Sequence, residues 1–317
     1  MNTIFGMITT KASGVYTVNA LRSFIQFTPE AFDSSAKFIL IDNDNSFYAS
    51  VDTKDLNISI IRNQEPKGFA HNVNQIIVKA LETRASLVMM NNDLEFSQGW
   101  FGPLSYNNLS ILSPLSNQQV PYVVSNVALT TQKVIETLVC HAQLNLDEYL
   151  SFPSAYQFMA LSHVRNIEKG LHIPQIVLPY FCIKIPHSIL QATGLFDERY
   201  GQGGGEDYDY SLRALLAGFE TRYAADSYIF HFGGKSSWDG PESAEQREVR
   251  ESKFKQHFIK VWGKPLLNFL LHEDSTDLLK LGITDLNPQP GQIRDFLLQI
   301  LNASADKGEP LSKDWRN

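Results

Sequence analysis

Residues 73–95 read VNQIIVKALETRASLVMMNNDLE, and this stretch decides the fold class. In its first half, apolar side chains recur at spacings of three and four, at Val73, Ile76, Ile77, Ala80 and Leu81. That spacing predicts an amphipathic helix. The apolar run Ser86–Met90 that follows has the length and composition of a buried parallel strand. A helix leading directly into a buried strand is the repeating unit of α/β domains.

The residues before this stretch repeat the alternation. Short apolar runs predict strands at Thr3–Ile8, Lys37–Ile41 and Ile58–Ile61, and Val15–Phe27 predicts a helix between the first two. We therefore expect an α/β fold with a Rossmann-type mixed sheet flanked by helices. In such sheets ligands bind beyond the carboxyl ends of the strands.

The second half of the chain gives a coarser prediction. Strands are predicted near Ile111, at Tyr180–Ile185 and at Tyr228–Phe232. Helices are predicted at Thr130–His141, Pro153–Asn166, His187–Thr193, Glu206–Ala217, Ala244–Trp262 and Leu266–His272. The composition changes after Gly233 to KSSWDGPESAEQ, which predicts a mobile loop, and the last residues are broken by proline and glycine. We expect a main domain over 1–236, followed over 237–317 by that loop and a helical C-terminal extension.

Composition and charge exclude several classes of function. The net charge is −7, whereas a nucleic-acid-binding surface needs clustered Lys and Arg, so we expect no nucleic-acid partner. No apolar run approaches the about 18 residues of a membrane span, and the N-terminus has no signal-peptide pattern. The two cysteines, Cys140 and Cys182, are far apart in apolar stretches and favour buried, reduced thiols. We therefore expect a cytoplasmic protein without an integral membrane segment.

Polar clusters end four of the predicted apolar elements. They are Asp42-Asn43-Asp44, Asn91-Asn92-Asp93, Glu206-Asp207 and His231. A carboxylate on a loop at a strand end can bind a divalent cation without being buried unpaired. Each cluster also has a structural interpretation: Asp and Asn are common turn formers, Glu206-Asp207 could cap a helix, and His231 could be a core histidine. Asp209 and Arg213 are spaced i, i+4 and favour an ion pair over substrate contact.

In order and spacing, these clusters resemble the inverting family 2 glycosyltransferases, which have the GT-A fold. The resemblance covers about residues 3–236 and is carried by Lys67-Gly68-Phe69-Ala70 with Asn74, by Met89-Met90-Asn91-Asn92-Asp93-Leu94-Glu95, by Gly194-Leu195-Phe196-Asp197-Glu198, and by Gly204-Gly205-Glu206-Asp207-Tyr208-Asp209 with Arg213. It implies transfer of a sugar from a nucleoside-diphosphate sugar to an acceptor hydroxyl, with inversion at the anomeric carbon. The acceptor, whether a glycan, a lipid-linked molecule or a protein, is not specified.

The resemblance also implies a role for each motif residue. Donor binding falls to Thr9, Thr10, Asp42, Asn43, Gly68, Asn74, Asn91 and Asn92. Asp93 and His231 would hold Mn²⁺ or Mg²⁺, which offsets the negative charge that builds on the departing diphosphate. Asp207 would be the general base that takes the acceptor proton, with Glu206 hydrogen-bonding the acceptor or holding the loop. A helix N-terminus favours an ionised carboxylate, so we expect Asp207 to be unprotonated at neutral pH.

Two departures from the family pattern leave alternatives open. Asn91 replaces the first Asp of the family's D-x-D motif, which removes one negative charge from the metal site, and Ile76 replaces a frequent glycine. We expect Ile76 to face the core. Because of Asn91, a protein that binds nucleotide sugar or glycan without turnover is an alternative. A sugar-nucleotide-forming nucleotidyltransferase is a weaker one, because residues 8–14 (ITTKASG) hold only one glycine and one lysine.

Overall fold

The computed structural model describes residues 2–47, 56–117, 144–233, 243–286 and 288–307. The predicted helix Thr130–His141, Cys140 and residues 234–242 of the predicted loop lie outside these ranges. The strands are Thr3–Thr9 (β1), Ala36–Asp42 (β2), Ile58–Arg62 (β3), Ser86–Met90 (β4), Leu94–Glu95 (β5), Ser110–Ser116 (β6), His172–Gln175 (β7), Cys182–Ile185 (β8) and Glu220–His231 (β9). The α-helices of the described ranges are Gly14–Phe27 (α1), Phe69–Glu82 (α2), Leu146–Ser151 (α3), Pro153–Asn166 (α4), His187–Thr193 (α5), Glu206–Leu216 (α6), Ala244–Trp262 (α7), Lys264–His272 (α8), Thr276–Lys280 (α9) and Ile293–Asp306 (α10).

The strands form one mixed sheet in the order β3-β2-β1-β4-β8-β6-β9-β5, with β7 paired to β9. The first four strands of this order are parallel to one another. Beyond β4 the directions mix, because β8 is antiparallel to both β4 and β6, while β6 and β9 are parallel. The expected mixed α/β sheet is confirmed.

The central parallel strands β1, β2 and β4 are mostly apolar because both faces of the sheet are covered there. In β2, Ile39 and Ile41 pack in one buried cluster with α2, and Phe38 and Leu40 pack in another with α1. Successive side chains of a strand point to opposite faces, so a strand buried on both sides needs a continuous apolar run. Ile76 of α2 is fully buried, as expected.

The C-terminal helices share a third buried cluster with the main sheet domain. Phe258 and Trp262 of α7 and Ile300 of α10 pack there with Leu212 of α6. The predicted helical extension is therefore present and attached to the main domain through a common core. The boundary at 236/237 falls in residues that the structure does not describe and remains a prediction.

Several element predictions are wrong in extent or missing. The last strand begins at Glu220 and not at Tyr228, because its first half is paired on both sides, with β6 and with β7, so that polar residues such as Thr221 are buried in the ladder. The strands β5 and β7 and the helices α3, α9 and α10 were not predicted. The proline- and glycine-rich residues 288–291 lie before α10 begins and do not interrupt it.

Candidate functional site

Three parallel strands end at one edge of the sheet, where the predicted donor-binding residues collect. Thr9 at the end of β1 is in register with Asp42 at the end of β2, and Asn91 follows β4. A cleft at this edge is lined by Ile8, Thr10, Ser13, Asn43, Lys67, Phe69, Asn72, Asn91 and Asn92. Four of the eight predicted donor residues therefore line a single cleft.

Asp42 and Thr9 lie beneath this edge and hold it together. The Asp42 carboxylate is fully buried and accepts hydrogen bonds from the backbone N–H groups of Ser46 (3.0 Å) and Phe47 (3.2 Å). Arg62 Nε lies 3.3 Å from the same carboxylate. The Thr9 hydroxyl shares a 2.6 Å hydrogen bond with that of Thr17. Both residues thus shape the loops around the cleft, and a direct contact with a donor stays a prediction.

A buried network of amide side chains fixes one wall of the cleft. Asn43 Oδ1 accepts hydrogen bonds from Asn63 Nδ2, Asn72 Nδ2 and the backbone N–H of Lys67, each 2.9 Å long. Asn63 Nδ2 also donates to Asn72 Oδ1 at 2.7 Å. The sequence interpretation missed Asn63 and Asn72. The available signal was Asn72 itself, a polar residue on the buried side of a helix whose stripe begins at the next position.

Asn91 and Asn92 differ in what they contact. The Asn92 amide donates to Ser13 Oγ (2.6 Å) and Thr17 Oγ1 (2.9 Å), which ties the end of β4 to the start of α1. Its Oδ1 is buried and makes no hydrogen bond within the described residues. Asn91 donates its backbone N–H to Phe181 O at 2.7 Å, and its side chain is partly exposed in the cleft.

Asp93 and His231 lie side by side, as the resemblance implies for a metal pair. Residues 91–93 connect β4 to β5, and β5 pairs with β9 so that Leu94 is opposite His231. His231 Nε2 lies 3.3 Å from Asp93 Oδ1, both side chains are buried, and the Phe181 ring stacks on His231 at 5.0 Å between centroids. An oxygen and an imidazole nitrogen suit a divalent cation, and Mg²⁺ commonly takes one or two carboxylates together with substrate phosphates. Among the described residues no third Asp, Glu, His or Cys completes a ligand cluster.

A glycine turn positions Glu206 and Asp207 at the start of α6. Gly204 and Gly205 have φ values of 121° and 81°, a backbone conformation that side-chain-bearing residues rarely adopt. The backbone N–H of Gly204 donates to the Glu206 carboxylate, and that of Tyr208 donates to Asp207 Oδ1 at 2.9 Å. The turn therefore presents two adjacent carboxyl groups at one helix N-terminus.

The protonation of this pair is governed by burial more than by the helix N-terminus. Burial raises the pKa of Glu206, and the charge of Asp207 raises it further. Burial also raises the pKa of Asp207, while the hydrogen bond from the backbone N–H of Tyr208 opposes that rise. Removing a carboxylate from water disfavours its charged form, so the expectation that the helix terminus alone keeps Asp207 ionised is incomplete. Together the two groups retain a proton to higher pH than separate exposed carboxyls would.

The donor edge and the glycine turn meet at two places. Ser211 Oγ lies 3.1 Å from the Tyr180 hydroxyl and 2.9 Å from Asp207 O, while the adjoining Phe181 accepts from Asn91 and stacks on His231. The second place is Gly68: a Cβ there would lie 2.1 Å from Gly201 O, so the two backbones are in direct contact. The predicted donor residue Asn91, the predicted metal ligand His231 and the predicted base Asp207 thus all lie around the segment Tyr180-Phe181.

Comparison with known proteins identifies the architecture. No protein-family profile and no curated protein matches the sequence. The crystal structure of GalNAc-T7 with UDP, GalNAc and Mn²⁺ is similar over 98% of this chain, at a TM-score of 0.55 and 13% identity. This chain spans 58% of the length of that GalNAc-T7 chain. The chain has a GT-A-type glycosyltransferase fold.

Two structures of S. aureus TarS are more distant. One, of residues 1–349, has a TM-score of 0.42 and 11% identity, covering 100% of this chain and 91% of that one. The other has a TM-score of 0.42 and 9% identity, covering 96% and 54%. Neither similarity is close enough to support an argument, and at 13% identity GalNAc-T7 supports the GT-A fold alone. Membership of family 2 stays a prediction.

Within the GT-A fold, two further predictions are informed by the geometry. Asn74 is directed away from the cleft, because its amide bonds Phe196 N and O and Glu198 Oε1 at 2.8–3.0 Å. Its assignment to donor binding is not favoured by these contacts.

No helix of the described ranges combines the length and apolar character needed to cross a bilayer. The cytoplasmic location stays a prediction.

Proposed function

We propose that this protein is a glycosyltransferase that moves a sugar from a nucleoside-diphosphate donor to an acceptor hydroxyl, with metal assistance and inversion. The observation that carries the proposal is the Asp93–His231 pair, held next to the amide-lined cleft in a GT-A fold and linked to Asp207 through Tyr180-Phe181 and Ser211. In the cleft, Thr10, Asn43 and Asn91 would contact the nucleotide.

In the transfer the acceptor oxygen attacks the anomeric carbon while the bond from that carbon to the diphosphate oxygen breaks. The nucleoside diphosphate leaves with the bonding electrons, and the acceptor proton passes to the Asp207 carboxylate. Mn²⁺ or Mg²⁺, held by Asp93 and His231, would supply positive charge for the departing diphosphate. Glu206 would stay protonated and keep the turn in place through Gly204.

The donor half of this proposal is tested by nucleotide binding. We would measure the thermal stability of wild type, Asp93→Ala and Asp295→Ala with UDP, GDP, dTDP, ADP and CDP, each with and without Mn²⁺. Asp295 is an exposed carboxylate on α10 and serves as the matched control. A nucleotide at 100 times its dissociation constant should add about 2.7 kcal/mol of stability.

The expected result is a Mn²⁺-dependent shift with one nucleotide that disappears in Asp93→Ala and persists in Asp295→Ala. A shift with none of the nucleotides would contradict the donor site. Nucleotide binding without transfer from the corresponding sugar nucleotides to water or to simple sugar acceptors would favour the non-catalytic alternative that Asn91 suggests.

A further inference from the structure

Helix α7, the first helix of the C-terminal extension, lies directly on the glycine turn that carries Glu206 and Asp207. A Cβ on Gly204 would lie 2.8 Å from Phe254 Cδ1, and one on Gly205 would lie 3.1 Å from Phe254 Cδ2. The Phe254 ring, 7% exposed, thus contacts the backbone of both glycines. This explains why neither position holds a side chain, beyond the φ values that the turn requires.

Two further contacts link the same helix to the turn. Arg250, one helical turn before Phe254, lies with Nη1 3.4 Å from Gly203 O. Its positive charge also opposes the rise in the pKa of Glu206. His257 Nε2 lies 2.9 Å from Asp197 Oδ2, at the start of the segment that leads into the turn. One face of α7 therefore contacts residues 197–205 along their length.

The opposite side of this segment is held by the start of α2. Gly68 contacts Gly201 as described, and the backbone N–H of Phe69 donates to Gln202 O at 3.1 Å. A glycine-rich segment has many accessible backbone conformations and loses much entropy when it is ordered. Residues 201–205 keep one conformation here because they are packed between α2 and α7.

We propose that Phe254, supported by Arg250, is a positioning residue for the transfer reaction, because it holds the glycine turn in the conformation that aims the Asp207 carboxylate at the acceptor. This inference rests on the proposed function of Asp207. It assigns the C-terminal extension a part in catalysis, although none of the extension's described residues lines the cleft. A misplacement of about 1 Å at a reacting group is enough to cost about 100-fold in rate.

The test compares two buried phenylalanines on the same helix. Phe258 is also buried on α7, one turn beyond Phe254, and both rings belong to the third buried cluster, but of the two only Phe254 is among the nearest neighbours of Gly204 and Gly205. We would prepare Phe254→Leu and Phe258→Leu, which retain most of the buried volume, together with Arg250→Gln and its control Lys260→Gln, an exposed residue of the same helix. Backbone hydrogen exchange is measured over residues 201–209, and transfer from the sugar form of the nucleotide that binds is measured with Mn²⁺.

We expect Phe254→Leu to accelerate exchange over 201–209 at least tenfold and to lower kcat at least tenfold, with the donor KM unchanged within twofold. Arg250→Gln should produce the same pattern at smaller size, and Phe258→Leu and Lys260→Gln should leave exchange in this segment as in wild type. Equal effects of Phe254→Leu and Phe258→Leu, or a loss confined to donor KM, would overturn the positioning role. Hydrogen exchange needs no substrate, so the two readouts can fail separately. A wild-type protein that transfers no sugar would overturn the proposed function. Faster exchange confined to 201–209 in Phe254→Leu would still support the packing of Phe254 on the turn.

Discussion

The donor edge and the glycine turn are built in contrasting ways. At the donor edge, neutral amides and hydroxyls bond to one another, as in the cluster of Asn43, Asn63 and Asn72, and all of them come from the first hundred residues. At the turn, the buried carboxyl of Glu206 and the half-buried carboxyl of Asp207 are held by glycine backbone and by aromatic packing from α7, which begins at Ala244. The first region is fixed by where strands end, whereas the second depends on a helix that arrives much later in the chain.

This contrast separates the two regions in their response to pH. Amide side chains do not titrate, so the wall of the donor cleft should keep its hydrogen bonds over the whole range in which the protein is folded. The carboxyls of the turn titrate at raised pKa values because they are buried. We therefore expect the amides of the cleft wall to contribute no pH dependence to nucleotide binding. The transfer rate, in contrast, should change with pH as the carboxyls of the glycine turn titrate.

The largest effect is expected from a substitution on the acceptor side alone, at Asp207. Asp207→Asn removes the proposed base and should lower the transfer rate about 10²–10⁴-fold, while nucleotide binding stays as in wild type. Because burial raises the pKa of Asp207 above that of an exposed aspartate, the wild-type kcat/KM should fall as the pH drops below neutrality, where the carboxylate takes up a proton. Rates are measured between pH 5 and 8.5, with nucleotide binding followed by thermal shift.

Glu206→Gln is the matched comparison for that variant, since an amide resembles the protonated carboxyl that Glu206 retains at neutral pH. It should cost less than Asp207→Asn at pH 7. An Asp207→Asn enzyme that keeps the wild-type rate, or a wild-type rate without change between pH 5 and 7, would rule out Asp207 as the base.

The next effect breaks the contact between the two regions. Gly68→Ala places a Cβ 2.1 Å from Gly201 O, and backbone cannot move aside as a flexible side chain can, so the free energy of unfolding should fall by about 1–3 kcal/mol. Gly14→Ala is the control, because a Cβ there meets nothing within 4 Å and its φ of −57° is helical. That change should be neutral or add about 0.4–1 kcal/mol. Urea unfolding measures both, and equal stabilities of the two variants would contradict a close Gly68–Gly201 approach.

The smallest effect is expected from a second substitution on the acceptor side, at Asp197. Burial raises the pKa of Asp197, but hydrogen bonds from Arg199 and His257 outweigh it and lower the pKa to about 2. A carboxyl with a lowered folded-state pKa adds stability above its unfolded value, near 3.8, and loses it as the pH falls through about 2. Asp197→Asn should therefore lower the free energy of unfolding by roughly 1–2 kcal/mol at pH 7, after allowance for solvent screening.

The stability difference between Asp197→Asn and wild type should shrink progressively as the pH is lowered from 4 to 2, in urea unfolding at each pH. Asp33→Asn is the comparison, because its exposed carboxyl accepts a hydrogen bond from the backbone N–H of the neighbouring Ser35, and it should change stability much less. A stability difference for Asp197→Asn that is constant from pH 7 to pH 2 would show that the carboxylate's charge is not its cause.

Local patterns predicted several helices of the main domain and of the C-terminal extension well. The helices Pro153–Asn166, His187–Thr193 and Ala244–Trp262 have the predicted bounds, and the predicted i, i+4 pair of Asp209 and Arg213 is an ion pair at 2.8 Å. These features depend on neighbours within one or two turns of chain. The two-residue strand β5 was missed because its existence depends on pairing with β9 and not on its own composition.

The candidate site divides in the same way. The order of residues shows which side chains follow strand ends, and therefore which amides and carboxylates could meet at one edge of an α/β sheet. It does not show that Asp93 lies against His231, that Gly68 touches Gly201, that Asn74 bonds Phe196 and not the cleft, or that Phe254 covers the glycine turn, and these contacts are seen only in the folded chain. Those contacts join segments far apart in the chain, so they are set by strand order and helix packing, about which the spacing of residues along a single segment carries no information.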